Sequence, residues 1–327
     1  MTLRLQIYRF DIRLAFGPRR ELLPPFLGST LRGTFGATFR RLVCETGADK
    51  CTDNSTDCAL IHDCPYARVF ETRAPADALA ERRRRYKDAA RPYVIAVPAR
   101  YDGAPELMMG LVLIGGAVRL LPHFVHVLTE LGRIGIGMAR VPYRLRAVLD
   151  HAGAVLFDCE SGWCENSVRA LGLEDFIGAG DANVDRITLD FLTPLRLKKY
   201  GGYLESGERV DFRLIIESLL QRLGAISFFH CGGEWVPDES LREAAQRIAV
   251  TDNRLELQRL ARYSNRQHRR LPMDGLVGTL TCEGELAPFL PALRLGELVH
   301  LGNGADLGLG RYRLAGCGAD AGVEVGG

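Results

Sequence analysis

The chain has few of the sequence features that mark membrane proteins, secreted proteins and several common enzyme classes. The apolar stretch 107–118 is too short, and too interrupted by glycine, to cross a bilayer. The first residues alternate apolar and charged side chains, unlike the unbroken apolar core of a signal peptide. The sequence also contains no Gly-x-x-x-x-Gly-Lys-Ser/Thr phosphate loop, no His-Glu-x-x-His and no Gly-x-Ser-x-Gly. We therefore expect a cytoplasmic protein without a membrane partner.

Net charge is small as well. Lys+Arg number 42 and Asp+Glu 40, a formal net charge of +2, so any polyanion must be held by local basic patches. A hydrophobic content of 47% excludes a disordered chain, and a length of 327 residues allows two cores of ordinary size. The nine cysteines are an odd number, and in a cytoplasmic protein we expect thiols or metal ligands rather than disulfides.

One short layout occurs twice, at 113–145 and at 276–314. Each copy has an apolar strand ending in glycine, a helix that starts near a proline, a cluster of glycines and a strand containing Tyr-Arg-Leu. Such a repeat predicts two copies of one small module. The expected fold class is therefore α+β, with two tandem ferredoxin-like (RRM-like, βαββαβ) domains and a C-terminal glycine-rich loop.

The segment 161–185 predicts the domain boundary, because it is rich in glycine and acidic residues and has no sustained apolar period. We expect an N-terminal domain over 1–185, with a cysteine-rich insertion at 44–64, and a C-terminal domain over 186–327. In the second domain the spacing predicts paired strands over 255–263 and 276–282. Sheets of this kind are a known platform for single-stranded RNA, although the fold supports many functions.

The densest basic segment is 254–270. Arginine suits phosphate through its bidentate fork, and a tyrosine can stack on a base. The predicted RNA-binding residues here are Arg262, Tyr263, Arg266, His268, Arg269 and Arg270. The alternative is a solvated edge strand whose charges discourage aggregation.

The glycine-rich loop near the end of the chain is a second candidate RNA contact. Gly302, Gly304, Gly308 and Gly310 lie just before a predicted strand, where positive φ can bring unshielded N–H groups up to an anion. The alternative is tight-turn geometry alone. His300 precedes the loop, and both an RNA-facing and a loop-bracing role are open for it.

The cysteine-rich segment offers metal ligands. Cys44, Cys51, Cys58 and Cys64 could close a tetrahedral zinc site and order a polar loop. The usual Cys-x-x-Cys pair is missing, so unpaired thiols are the alternative, with Cys44 buried at a helix end.

His62, Tyr66 and Arg68 bring an acid or base, a hydroxyl and a cation close together in sequence. Metal-independent RNA cleavage needs a base for the 2′-hydroxyl, an acid for the departing 5′-oxygen and a cation near the phosphate. Histidine suits the proton transfers because its pKa lies near neutrality. The alternatives for His62 are a further metal ligand and an ordinary loop residue.

Several of these segments together resemble a known family. The residues 262–267, 275–278 and 288–290, His300 and the glycines up to Tyr312 look like the C-terminal signature of CRISPR-associated protein six. This family is the precursor-crRNA processing endoribonuclease of the RAMP superfamily. Leu31-Arg32-Gly33 and Cys64-Pro65-Tyr66 are similar to the same group.

The resemblance implies a protein that binds CRISPR repeat RNA and cleaves it by 2′-hydroxyl attack, leaving a 2′,3′-cyclic phosphate and a 5′-hydroxyl. It implies no cofactor for catalysis, so zinc would be structural only. His62 and Arg68 match the family's histidine after the first helix and its later basic residue. The alternative is a non-catalytic RAMP-type RNA-binding subunit of a CRISPR effector complex. A protein-binding α+β scaffold is a third hypothesis.

Overall fold

The structure, a computed structural model, describes residues 3–45, 58, 60, 63–72, 90–199, 201–233, 239–264 and 269–316. Of the residues singled out above, Cys51, His62, Arg266 and His268 lie outside these ranges. For Tyr263 only the backbone is described. No described helix is both long and apolar enough to span a bilayer.

The N-terminal half contains a six-stranded sheet in the order β2-β3-β1-β4-β5-β6. Its first four strands have the order of a ferredoxin-like sheet, in which two crossover helices pack on one face. The strands are β1 (Ile7–Phe16), β2 (Tyr93–Ala96), β3 (Glu106–Ile114), β4 (Tyr143–Asp150), β5 (Val155–Asp158) and β6 (Gly162–Trp163). The helices are α1 (Gly28–Val43), α2 (Pro65–Phe70) and α3 (Leu121–Ile134).

The C-terminal half repeats this order. Its main sheet runs β10-β14-β7-β15, and β11 also pairs with β14. The strands are β7 (Arg186–Leu195), β8 (Lys198–Lys199), β9 (Gly202–Tyr203), β10 (Ala249–Asn253), β11 (Glu256–Gln258), β12 (Ala261–Ser264), β13 (Arg269–Pro272), β14 (Gly275–Glu283) and β15 (Tyr312–Ala315). The helices are α4 (Phe212–His230), α5 (Glu239–Ala245) and α6 (Leu290–Val299). The prediction of two ferredoxin-like modules is confirmed.

The predicted continuous strand over 255–263 is wrong in detail. β11 pairs with β14, as expected, but β12 turns away and forms a separate hairpin with β13. The hairpin is anchored by Leu260 and Met273, which pack into the apolar core of the N-terminal half. A basic hairpin from one half therefore rests on the other half.

The two halves share apolar packing. Leu5, Ile7, Val112 and Ile114 belong to the same buried cluster as the helices and strands of the C-terminal half. Residues 164–185 connect the sheets, and Asp181 holds this connection through an ion pair of 2.7 Å with Arg294 of α6. The domain boundary near residue 185 stays a prediction.

Candidate nucleic-acid interface

The glycine loop, residues 302–310 between α6 and β15, lies against the N-terminal half. A Cβ atom added to Gly28, at the start of α1, would lie 2.1 Å from the carbonyl oxygen of Leu307. One added to Gly308 would lie 3.0 Å from the carbonyl oxygen of Ile95 in β2. Just after the loop, the buried Arg311 donates from Nη1 to the carbonyl of Val97 at 2.8 Å. We call this contact between the halves the seam.

Several amides of the loop already donate hydrogen bonds within the protein. The Gly310 N–H donates to the carbonyl of Pro194 at 3.1 Å, and the Gly308 N–H donates to the carbonyl of Ala305 at 3.0 Å. Both glycines have positive φ and are buried. For Gly308 and Gly310 the expectation of bare amides is wrong, because a turn within the loop pairs the Gly308 N–H and β7 pairs the Gly310 N–H.

The first part of the loop is more open. Gly302 and Gly304 are half-buried, and Asn303 between them is exposed. The Asn303 N–H donates to the carbonyl of Arg196 at 3.0 Å. RNA contacts by Gly302 and Gly304 stay predictions.

His300 braces the loop from inside. Its side chain is fully buried, and Nδ1 donates to the carbonyl of Leu309 at 3.1 Å, which leaves Nε2 as the buried, bare nitrogen. Burial, with the charges of Arg311 and Arg222, lowers the pKa of His300 to about 3. The RNA-facing role for His300 is therefore wrong, since a buried neutral ring cannot touch a ligand outside the protein.

This burial predicts acid sensitivity. The pKa of His300 is about 3 in the folded chain and near 6.5 when unfolded, so the unfolded state gains protons first as the pH falls. Stability should be lost below about pH 6.5, by up to about 1.4 kcal/mol per pH unit for this one group. In His300→Asn the free energy of urea unfolding should depend less steeply on pH between 6.5 and 4.5. An equal slope in the variant and the parent would contradict the assignment.

Arginines from the N-terminal half meet the loop at Asp306. Nε of Arg32, in α1, lies 3.4 Å from Oδ2 of Asp306, and Nε of Arg91, just before β2, lies 3.0 Å from the same oxygen. The Arg32 guanidinium also lies 5.7 Å from the ring centroid of Phe70, and Nη1 of Arg91 donates to the carbonyl of Phe70. Phe70, at the end of α2, therefore supports both arginines.

The C-terminal half adds two more arginines to this position. Burial first, and then the charge of nearby Arg32, lowers the pKa of Arg262 in β12. Arg196 follows β7; its charge also acts on Arg262, and its Nε donates to the carbonyl of Asp274 at 3.1 Å. The Arg196 guanidinium lies 3.9 Å from the centroid of the half-exposed Tyr203 ring.

We name Arg32, Arg91, Arg196, Arg262 and Asp306 the seam cluster. Four guanidinium groups and one carboxylate leave an excess of positive charge, which suits the phosphates of a nucleic acid. Sequence reasoning found Arg262 but not Arg32, Arg91 or Arg196. Nothing in their local spacing indicates the site, because contacts between the two halves bring them together.

The basic hairpin continues from the seam cluster. Arg269 and Arg270 are exposed in β13, where they pair with Ser264 and Tyr263 of β12. RNA contacts by Tyr263, Arg269 and Arg270 stay predictions, as do those of Arg266 and His268.

Tyr66 and Arg68 lie on different sides of α2. Tyr66 stacks on Phe70 in α2, with ring centroids 4.9 Å apart, while Arg68 is exposed. Residues two positions apart on a helix do not face each other, so α2 alone does not bring this hydroxyl and this cation together. The catalytic roles of Tyr66 and Arg68 stay predictions. The position of His62 relative to either residue lies outside the described residues.

The cysteine site stays a prediction. Cys58 is buried, and Cys44 and Cys64 are half-buried. Among the residues that the structure describes, no group of three or more His, Cys, Asp and Glu could hold a metal ion. Cys51 is not among these residues, so this search leaves the four-cysteine hypothesis open.

Two family models match parts of the chain. Residues 189–312, which contain the glycine loop and β12, match the family model described as CRISPR-associated endoribonuclease Cas6. Over these residues the chain is similar to Cas6 endoribonucleases. Residues 4–166 match a second family model, described as an N-terminal domain. The predicted fold is confirmed, and the predicted resemblance to this family is confirmed over residues 189–312.

Proteins similar to this chain span nearly its whole length. A Thermus thermophilus Cas6 in a product complex is 19% identical, with a TM-score of 0.56 and coverage of 94% of this chain and 98% of that chain. A partial Cas6-RT-Cas1–Cas2 complex is 14% identical, with a TM-score of 0.55, and the match covers 96% of this chain and 47% of that chain. An uncharacterized protein of Archaeoglobus fulgidus is 27% identical over 321 residues, 96% of this chain and 99% of the relative.

Proposed function

We propose that this protein is a metal-independent endoribonuclease that binds CRISPR repeat RNA and cuts the precursor crRNA. The observation that carries the proposal is the match of residues 189–312 to the Cas6 endoribonuclease model. The same residues supply Arg196, Arg262 and Asp306 to the seam cluster. The matched region therefore supplies three of the five members of the cluster.

The seam cluster supports RNA binding on physical grounds. A formal net charge of +2 gives little long-range attraction for RNA, so a local group of arginines must hold the phosphates. Both halves of the chain contribute to the cluster, and the exposed Arg269 and Arg270 extend it along the hairpin. A phosphate backbone lying over the seam would contact both halves.

The proposed chemistry uses no metal. A base takes the proton of the 2′-hydroxyl, and the 2′-oxygen attacks the adjacent phosphorus. The bond from phosphorus to the 5′-oxygen breaks, and an acid donates a proton to that oxygen. We assign one of these proton transfers to His62. Arg68, exposed on α2, would stabilise the charge on the phosphate.

Cleavage of synthetic repeat RNA in EDTA tests the proposal. We expect a single cut, with a 2′,3′-cyclic phosphate on one product and a 5′-hydroxyl on the other, identified by mass spectrometry. Circular dichroism in the same buffer is the control, because we also propose a structural zinc in 44–64 that EDTA would remove. A folded protein that binds repeat RNA but leaves it intact would refute the enzyme proposal.

The second candidate is a non-catalytic RNA-binding subunit of a CRISPR effector complex. It is favoured by the composition of the seam cluster, whose described members are four arginines and an aspartate, without a histidine. One structurally similar chain belongs to a Cas6-RT-Cas1–Cas2 complex, which makes other CRISPR proteins plausible partners. Under this proposal the same assay would show salt-dependent RNA binding and no product.

A further inference from the structure

Asp306 occupies an unusual position for a carboxylate, at the centre of an arginine cluster. Arg32 and Arg91 approach it from two different segments, and their Nε atoms lie 3.4 Å and 3.0 Å from the one oxygen Oδ2. Nε of Arg32 is buried without a hydrogen-bond partner among the described residues, and a non-bridging phosphate oxygen is a strong acceptor for such a group. The carboxylate therefore stands where a phosphate would be bound.

The site is open enough for exchange. The side chains of Arg32, Arg91 and Asp306 are 22%, 32% and 19% exposed, so a ligand can reach them from solvent. The charge of Asp306 also acts on two further arginines, Arg222 and Arg262. An incoming phosphate would therefore compete with the Asp306 carboxylate for Arg32 and Arg91.

The arginines do not depend on Asp306 for their positions. The Arg32 guanidinium rests over the Phe70 ring, and Arg91 donates to the Phe70 carbonyl. The loop that carries Asp306 is held by other bonds: Thr193 Oγ1 donates to the Gly308 carbonyl at 2.9 Å and accepts from the Arg311 N–H at 2.9 Å. We therefore expect the arginines and the loop to stay in place when the carboxylate charge is removed.

We propose that Asp306 is an internal competitor of the RNA phosphate. In the free protein its carboxylate neutralises Arg32 and Arg91, and a phosphodiester takes over these two arginines when RNA binds. The competition lowers affinity for any polyanion, so RNA must supply further contacts to bind. This inference rests on the proposed function for the identity of the ligand, but its chemistry requires only a phosphate.

The test is Asp306→Asn, which keeps the shape and removes the charge. Binding is measured by fluorescence anisotropy with repeat RNA and with unrelated RNA of equal length, and by calorimetry with inorganic tripolyphosphate. We expect the variant to bind unrelated RNA and tripolyphosphate about tenfold more tightly than the parent, roughly the combined size of the two weak, partly screened ion pairs that Asp306 makes. Glu217→Gln, which removes a surface carboxylate paired with Arg213 at 2.7 Å, should change binding by less than about twofold.

A combined variant separates competition from general charge. With Arg32→Gln and Arg91→Gln present, Asp306→Asn should give no further gain. The inference is overturned by weaker binding in Asp306→Asn, by the same gain without the two arginines, or by equal gains in Asp306→Asn and Glu217→Gln. If circular dichroism shows that Asp306→Asn has not folded, Asp306→Ser replaces it.

The proposed function can fail separately. In one outcome the parent fails to bind repeat RNA while Asp306→Asn binds tripolyphosphate tenfold more tightly than the parent. That result refutes the RNA proposal and supports Asp306 as a competitor. A parent that binds repeat RNA, with no gain for any probe in the variant, supports the RNA proposal and overturns the competitor. Absence of binding to every probe in both proteins overturns both.

Discussion

Replacing His62 with alanine is expected to slow cleavage of repeat RNA by about 100-fold to 10,000-fold, the usual contribution of a general acid or base. The 2′-hydroxyl is a poor nucleophile while it keeps its proton, and the 5′-oxygen is a poor leaving group unless it receives a proton. Loss of a proton-transferring side chain therefore raises the barrier without affecting phosphate binding. Single-turnover rates with saturating protein measure this step directly.

The matched control is His126→Ala, because His126 is an exposed histidine on α3. This variant should cleave at the parent's rate, and both variants should bind repeat RNA as the parent does. Cleavage by His62→Ala at the parent's rate would remove His62 from the mechanism. The proton transfer would then have to be assigned to another residue.

Replacing Arg32, Arg91 and Arg262 together with glutamine is expected to weaken binding of repeat RNA by about 100-fold at about 0.15 M salt. Each arginine can give a charge-assisted hydrogen bond to phosphate, and each arginine that no longer neutralises a phosphate of single-stranded RNA should lower the salt slope by about 0.7. The plot of log K against log salt should therefore become less steep by about 2 units. Anisotropy titrations over a series of salt concentrations measure both quantities.

An equal loss of charge elsewhere is the control for the arginine variant. Arg133, Arg169 and Arg213 each pair with an acidic residue away from the seam, and their triple glutamine variant should bind almost like the parent. Thermal unfolding shows whether either variant is folded. An unchanged salt slope in the seam variant would place the RNA elsewhere on the molecule.

Local pattern in the sequence was enough to predict the fold. The repeated Tyr-Arg-Leu strands became β4 and β15, and the two helices before them became α3 and α6. Apolar spacing and glycine punctuation report local structure, and both modules are built largely from neighbouring segments. By contrast, β10 was missed because Ala249–Asn253 is mostly polar and half-exposed at a sheet edge.

The candidate site was harder to predict, because its geometry depends on contacts between distant segments. The pairing of Arg32 and Arg91 with Asp306 has no signature in the spacing of any one segment. His300 and Gly310 were correctly associated with the loop, but only the packing shows that they point inward. Long-range pairing decides which loop groups are left for a ligand, and one sequence does not record it.

The close fit of Gly28 against Leu307 limits how this protein can be rebuilt from parts. Any side chain at position 28 would collide with a main-chain atom of the other half, only 2.1 Å from where its Cβ would lie. Hybrid proteins that join the first half of one homologue to the second half of another must therefore inherit both contact surfaces as a matched set. Recombination at the connection 164–185 alone does not secure this match.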